Sequence, residues 1–271
     1  MILFESMVQI SIYTTITTIL FLLIFLKQQP IPIVWNFISM LFTSKKFALH
    51  FVGMLVILYI NKLELQLEER LQLDLDFTEM FYNIEGHFVS WIQSVFDHHI
   101  LTVVLVFFYV VVFQSLLVTS ICIYTYTKQY KLFYALCYAV MLNYLIAIPF
   151  YLFFPIDETW AFAAANVEFR MLDVFPTFEE TYRKLSGLDN CFPSLHTSLS
   201  VTLAVLAFHS KQTLWKWFVG ISAVIIIFSI FYLGIHWLLD MLGGLALGTF
   251  ASITGLKLAK LDVQLPFTKN K

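Results

Sequence analysis

Residues 190–200, "NCFPSLHTSLS", set a proline, His196 and the hydroxyls of Ser194, Thr197, Ser198 and Ser200 at the mouth of an apolar run. Polar groups at membrane depth are costly and tend to mark function. Pro193 suits a helix's first turn, and the hydroxyls after it can satisfy free backbone N–H groups. A helix start also favours anions, so a phosphate beside Ser194 would meet backbone donors, a hydroxyl and an imidazole. The plainer alternative is a well-capped helix carrying an interfacial histidine.

A second constellation lies downstream. "SIFYLGIHWLLDMLGGLALG" places His236 and Asp240 at i, i+4, one turn apart on a helix. A carboxylate there can hold one imidazole tautomer and support its positive charge. The same face continues through Gly244, Gly248, Ala251 and Gly255, and small residues mark the side where membrane helices pack closely. His236 and Asp240 are therefore expected to point into a bundle, with Ser229 on the same face if the helix is continuous. A solvated His-x3-Asp at an interface is the alternative. Two histidines and a carboxylate around a helix start have the makings of a phosphoryl-transfer site.

The elements that must position these groups are membrane helices. Of 271 residues, 60% are hydrophobic and only 13% charged, and mean hydropathy is +0.82. A soluble domain carries about a quarter charged residues. Apolar runs near 8–26, 47–60, 100–126, 132–154, 195–209, 215–235 and 237–256 read as spans, the second and fifth of them short. The expected fold is an all-α, polytopic transmembrane bundle of six to seven spans. Residues 1–99 would hold the first spans and an outer segment, 100–257 the core, and 258–271 a cytoplasmic tail. Residues 31–42 read as an interfacial or re-entrant helix. The N-terminus lacks the positive region and small-residue cleavage site of a removed signal.

With seven spans, the basic residues divide unevenly between the two sets of loops. Lys27, Lys45, Lys46, Lys128, Lys131, Lys211, Lys216, Lys257, Lys260, Lys269 and Lys271 fall on one side. Lys62, Arg70, Arg170, Arg183 and Lys184 fall on the other. The richer set belongs to the cytoplasm, so the N-terminus and the loops 61–99 and 155–194 are expected outside. His196 and His236 then share the outer level. Ile84, Phe88, Trp91, Ile92, Val95 and Phe96 recur at helical spacing, which predicts an amphipathic helix on the outer leaflet. Scattered basic residues give no footprint for nucleic acid, and the three cysteines give no disulfide framework.

"PSLH", followed by Ser229, His236 and Asp240, resembles the type 2 phosphatidic acid phosphatase superfamily. Its second motif is Pro-Ser-x-His and its third Ser-Arg-x5-His-x3-Asp. The third motif's arginine position is Ile230 here, and a Lys-x6-Arg-Pro first motif is missing. "NYLIAIPFYLFFP", an outer loop and then "FPSLHTS" are more similar to the inositol phosphorylceramide synthase branch, which transfers a phosphorylated headgroup to an alcohol. The resemblance implies His236 as nucleophile, Asp240 as its orienting partner and His196 as acid then base. Ser194 and Ser229 would bind substrate, with no metal and no other cofactor. With two motif cations missing, Arg183 is the expected phosphate-binding replacement, because a guanidinium grips phosphate bidentately; a solvated loop arginine is the alternative.

Three functions stay open. One is an enzyme moving a phosphoryl group from a membrane lipid to water or to an alcohol acceptor. Another is a metal-dependent hydrolase with Cys191, His196, His236 and Asp240 as ligands. The third is a transporter or scaffold on the same fold. His50, His87, the His98-His99 pair and His209 read as ordinary interfacial residues. Asn143 and Pro149 read either as a lining group and a kink or as packing features.

Overall fold

The computed structural model describes residues 2–71, 75–183 and 186–264. Lys184 and the tail residues 265–271 lie outside that set. The described chain is an all-α bundle. Its elements are α1 (Met7–Leu26), α2 (Pro30–Thr43), α3 (Lys45–Leu71), α4 (Thr78–Glu85), α5 (Phe88–Val95), α6 (His99–Phe107) and α7 (Phe113–Tyr126). After these come α8 (Tyr130–Phe153), the short α9 (Phe178–Thr181), α10 (Leu195–Phe208), α11 (Thr213–Tyr232) and α12 (Leu238–Gln264). A π-helical turn, Phe108–Val112, joins α6 to α7 without a break.

Six helices among the described residues are long and apolar enough to cross a membrane. The expected fifth span, α10, has 14 residues. At about 1.5 Å per residue it reaches roughly 21 Å, short of the ~30 Å hydrocarbon core. It survives because α8, α11 and α12 pack around it, so its polar end never needs to meet lipid. α2 does not cross. The end of α1 packs on the start of α11 (Phe25 and Trp215 rings 4.9 Å apart), and the start of α3 stacks on the start of α8 (Phe47 and Phe133, 4.0 Å). Both ends of α2 thus lie at one end of the bundle. At the other end, Leu3 N–H donates to the Val174 carbonyl (2.8 Å) and Phe4 meets Phe175 (5.6 Å). The N-terminus therefore shares an end with the 154–194 loop.

The amphipathic helix expected over residues 84–96 is broken in two. Gly86, at φ 58°, closes α4 and redirects the chain into α5. Of the predicted apolar face, Phe88 and Ile92 pack inward beside Val89, whereas Ile84, Trp91, Val95 and Phe96 stay exposed. Buried Gln93 fixes α5 to the bundle through Glu168 and Tyr232. The segment is bolted to the helix ends.

The small-residue seam behaves as its composition predicts. A Cβ on Gly244 would meet the Ser194 carbonyl at 2.6 Å, one on Gly248 would strike the Ser198 carbonyl, and one on Gly255 would meet the Ala135 carbonyl at 2.6 Å. Burial gives no net drive between helices in lipid, so such close backbone packing carries the association. It presses α12 onto α10 and α8, beside both candidate histidines.

Candidate active site

His236 and Asp240 meet through a helix cap. α11 ends at Tyr232, and Gly234 turns the chain at φ 79°, where a side chain would strike the Glu168 carbonyl. The N–H groups of Ile235 and His236 both donate to the Ile230 carbonyl (3.0 and 3.2 Å). α12 begins only at Leu238. Asp240, in its first turn, reaches back so that Oδ2 accepts from Trp237 N–H (2.8 Å) and lies 3.2 Å from His236 Nδ1. This is the acidic half of a capping box. One carboxylate thus satisfies an orphan helix donor and holds the imidazole through Nδ1. The continuous face expected from spacing does not exist. Ser229 sits on α11, buried, with its hydroxyl donating to the Ile226 carbonyl (2.7 Å), so it is separated from the pair and does not line the cavity described below.

Ser194 is the N-cap of α10, and its Oγ accepts from Thr197 N–H (3.3 Å). Its own N–H donates to the Asp240 carbonyl (3.1 Å), which stitches the starts of α10 and α12 together. His196 lies in the first turn of α10 with its ring stacked on Tyr109 (3.9 Å, 16°) and tilted against Phe113 (4.5 Å). Tyr109 belongs to the π-helical turn, a distortion that recurs at functional sites. His196 Nε2 is buried without a hydrogen-bond partner.

Both histidines line one cavity of about 350 Å³. Its polar end also carries Glu158, Tyr182, Asn190 and Cys191. An apolar arm runs between α3, α7, α8 and α10 past Leu58, Leu117, Val140 and Leu203 to Val118. Val118 is 43% exposed on the outside of the bundle, so the arm reaches the lipid-facing surface. Ser194 and Asp240 support the histidines from behind the wall.

Arg183 is not free to grip phosphate. All five guanidinium donors are engaged: Nε and Nη2 with Glu179, Nη1 and Nη2 with Glu158 at 2.6 and 2.8 Å, and Nη1 with the Gly187 carbonyl. It neutralises Glu158, a buried carboxylate that itself lines the cavity. An acid in a dry site claims the nearest cation, because leaving it unpaired is costly. Buried Arg170 is likewise a strut, bonded to Asp97 (2.8 Å), Tyr232 Oη (3.0 Å) and the Gln93 carbonyl. Ile230 is wholly buried among apolar groups.

Of the four ligands in the metal reading, Cys191, His236 and Asp240 offer atoms within 4.8 Å of one another, and His196 is not among them. Burial pushes the Cys191 thiol well above its usual range, so without a metal it stays protonated. Asn143 bonds Thr202 of α10 (3.0 Å) and packs α8. His98 caps α6, and His50 bonds Tyr138 Oη (2.8 Å). Sequence reasoning missed Glu158, Tyr109 and Glu85. The first two are a loop acid among many and an aromatic in a rich apolar run. Glu85 precedes Gly86, so only the chain reversal there hinted at its placement.

A polytopic bundle that sets two histidines and a capping aspartate at the shared start of two helices defines a class of membrane enzyme site. The chain belongs to the PAP2 superfamily, whose model matches residues 80–254. It is also similar to "Putative undecaprenyl-diphosphatase YbjG" of Escherichia coli (strain K12), 43% identical over 67 residues, which are 24% of this chain and 33% of that protein. The match therefore spans about a third of the length of that curated relative. No solved structure matches the chain.

Proposed function

We propose that the protein is a membrane lipid phosphatase acting through a phosphohistidine. The observation that carries this is the shared cavity, with an Asp240-held His236 and an unpartnered His196 at its polar end and an apolar arm open to lipid. In the first step His236 Nε2 attacks phosphorus, the bond to the lipid oxygen breaks, and protonated His196 gives that oxygen its proton. In the second, neutral His196 takes a proton from water as the water oxygen attacks phosphorus, and the N–P bond breaks. The products are the lipid alcohol, or a lipid monophosphate from a diphosphate, and inorganic phosphate. The backbone N–H groups of Leu195 and His196 at the start of α10 are assigned to phosphate oxygens, and Ser194, expected from the motif to bind phosphate but buried behind the wall, is assigned to capping the helix that presents them. The chemistry requires no metal. The name of the bacterial relative points to a lipid diphosphate as substrate.

The order of motifs favours a second acceptor. With the inositol phosphorylceramide synthase pattern around "FPSLHTS", an alcohol such as inositol would replace water in the second step. The basic-residue asymmetry supports a site on the outer face. Purified protein incubated with labelled phosphatidic acid and with undecaprenyl diphosphate, with and without inositol, separates these arms. Free phosphate that survives EDTA supports the phosphatase, and a labelled inositol product supports the transferase. Neither product from folded protein overturns both, and loss on chelation restored by zinc supports the metal reading. Exposed Glu180→Cys in a cysteine-free background should label from outside intact cells. Labelling only after permeabilisation reverses the orientation.

A further inference from the structure

The N-terminus of α12 is already occupied by carboxylates of the protein itself. A helix start leaves free N–H groups that need acceptors. Trp237 N–H goes to Asp240. The next two, Leu238 and Leu239, go to the two carboxylate oxygens of one distant residue: Leu238 N–H to Glu85 Oε2 and Leu239 N–H to Glu85 Oε1, both at 2.6 Å. Glu85 comes from α4, 153 residues away in sequence. The clamp sits immediately after His236.

α4 is built to deliver that carboxylate. Asp76 accepts from Thr78 N–H (2.8 Å) at its start, and Thr78 Oγ1 accepts from Asp157 N–H (2.9 Å). Phe81 is buried with Ile156, Cys191 and Trp237, and the Tyr82 ring lies 6.4 Å from that of Trp237. Trp237 Nε1 donates to the Asp157 carbonyl (2.9 Å). Both sides of the Glu85 bridge are therefore anchored to the same loop.

We propose that Glu85 is a positioning residue for the reaction, one that holds the 233–240 turn so that His236 presents Nε2 to the cavity. The proposal rests on the reading of His236 as nucleophile. Asp240 fixes how the imidazole is rotated and which nitrogen is free. Glu85 fixes the backbone from which both side chains hang, and without it the first turn of α12 keeps only the Trp237 bond from Asp240. A displacement of about 1 Å at a reacting group costs on the order of 10²-fold in rate.

The test uses the full-length protein with phosphatidic acid in mixed micelles, comparing wild type, Glu85→Ala and Glu85→Gln. Glu85→Ala should lose about 10- to 10²-fold in kcat with KM little changed. Because Glu85 is only half-buried, added sodium formate should enter the vacated helix end and restore part of kcat, while equimolar sodium chloride should not. Glu85→Gln, which keeps one acceptor oxygen, should fall between. A folded Glu85→Ala with wild-type kcat, a loss confined to KM, or no recovery with formate overturns the proposal. Hydrogen exchange at the Leu238 and Leu239 amides, measured without substrate, should speed up in Glu85→Gln. Unchanged exchange overturns the proposal even if Glu85→Ala fails to fold. A wild-type protein that releases no phosphate sinks the phosphatase reading instead, and leaves the exchange result to decide the clamp.

Discussion

The two histidines are held in opposite ways. His236 hangs from hydrogen bonds: Asp240 on its ring, the Ile230 carbonyl on its N–H, and Glu85 on the helix that follows. His196 is held by aromatic faces, Tyr109 above and Phe113 beside, and its Nε2 has no partner. A carboxylate fixes one tautomer and supports positive charge. A ring stack fixes the plane of the imidazole while leaving its protonation open. The first arrangement suits a nucleophile that attacks from one nitrogen, and the second a group that gives up a proton and takes one back.

The largest break in this comparison comes from removing either ring. His236→Ala and His196→Ala should each lower kcat by about 10⁴- to 10⁶-fold, as when a member of a catalytic set that acts as a unit is lost. They should differ in what accumulates. With a good leaving group, His196→Ala should still form an acid-labile phosphohistidine and discharge it slowly, and His236→Ala should form none. Label on both variants, or on Ser194, would reassign the nucleophile.

A smaller break separates the two kinds of support. Asp240→Asn keeps the shape of the turn but presents an amide to His236 Nδ1, removing the charge that stabilises an imidazolium. The expected loss is on the order of 10³- to 10⁴-fold, with phosphoenzyme formation slowed more than its hydrolysis. Equal slowing of both steps would mean that Asp240 serves both histidines. Removing the ring under His196 should cost far less, because an aromatic pair contributes about 0.5–1.5 kcal/mol. Tyr109→Ala should therefore lower kcat by about 3- to 10-fold and shift the pH profile of the second step. Tyr109→Phe should match wild type, and a Phe variant as impaired as the Ala variant would assign the role to the hydroxyl instead.

Much of this was legible in the sequence, and the residues show where legibility ends. Span-length apolar runs and the glycine seam depend on local composition, so the bundle and a closely packed face on α12 followed from them. The pairing of His236 with Asp240 followed too, though for a different reason: a four-residue spacing suits a cap as well as a helix face. The break at Gly234 was masked by flanking apolar residues, and it moved Ser229 to another helix. Arg183 was the natural phosphate ligand only while Glu158 and Glu179 went unseen beside it. Ion pairs across 25 residues and a clamp across 153 are products of tertiary folding, and no periodicity announces them.

The smallest expected effect is on stability, and it sharpens the same contrast. Burial, opposed by its two backbone bonds and reinforced by the charge of Asp240, pushes the Glu85 carboxyl up to about 7 from its ordinary 4.5. A carboxyl raised in the folded state stays protonated there over a range where the unfolded chain has released its proton. Folding stability should therefore fall as pH rises from about 4.5 to about 7, then level off. Asp157, pushed up to about 6 by burial and by Asp76, Asp189 and Glu158, acts with the same sign, so the wild-type curve alone does not isolate Glu85. The difference between Glu85→Gln and wild type does. The variant has nothing to ionise, so its melting temperature relative to wild type should climb between pH 4.5 and 7 and stay level above, at about 2–4 °C per kcal/mol for a chain of this size. Tyr109→Ala perturbs the side of the site held by rings and brings no carboxylate with it. Its difference curve should be flat over the same window, and a slope there would show that the two supports are coupled.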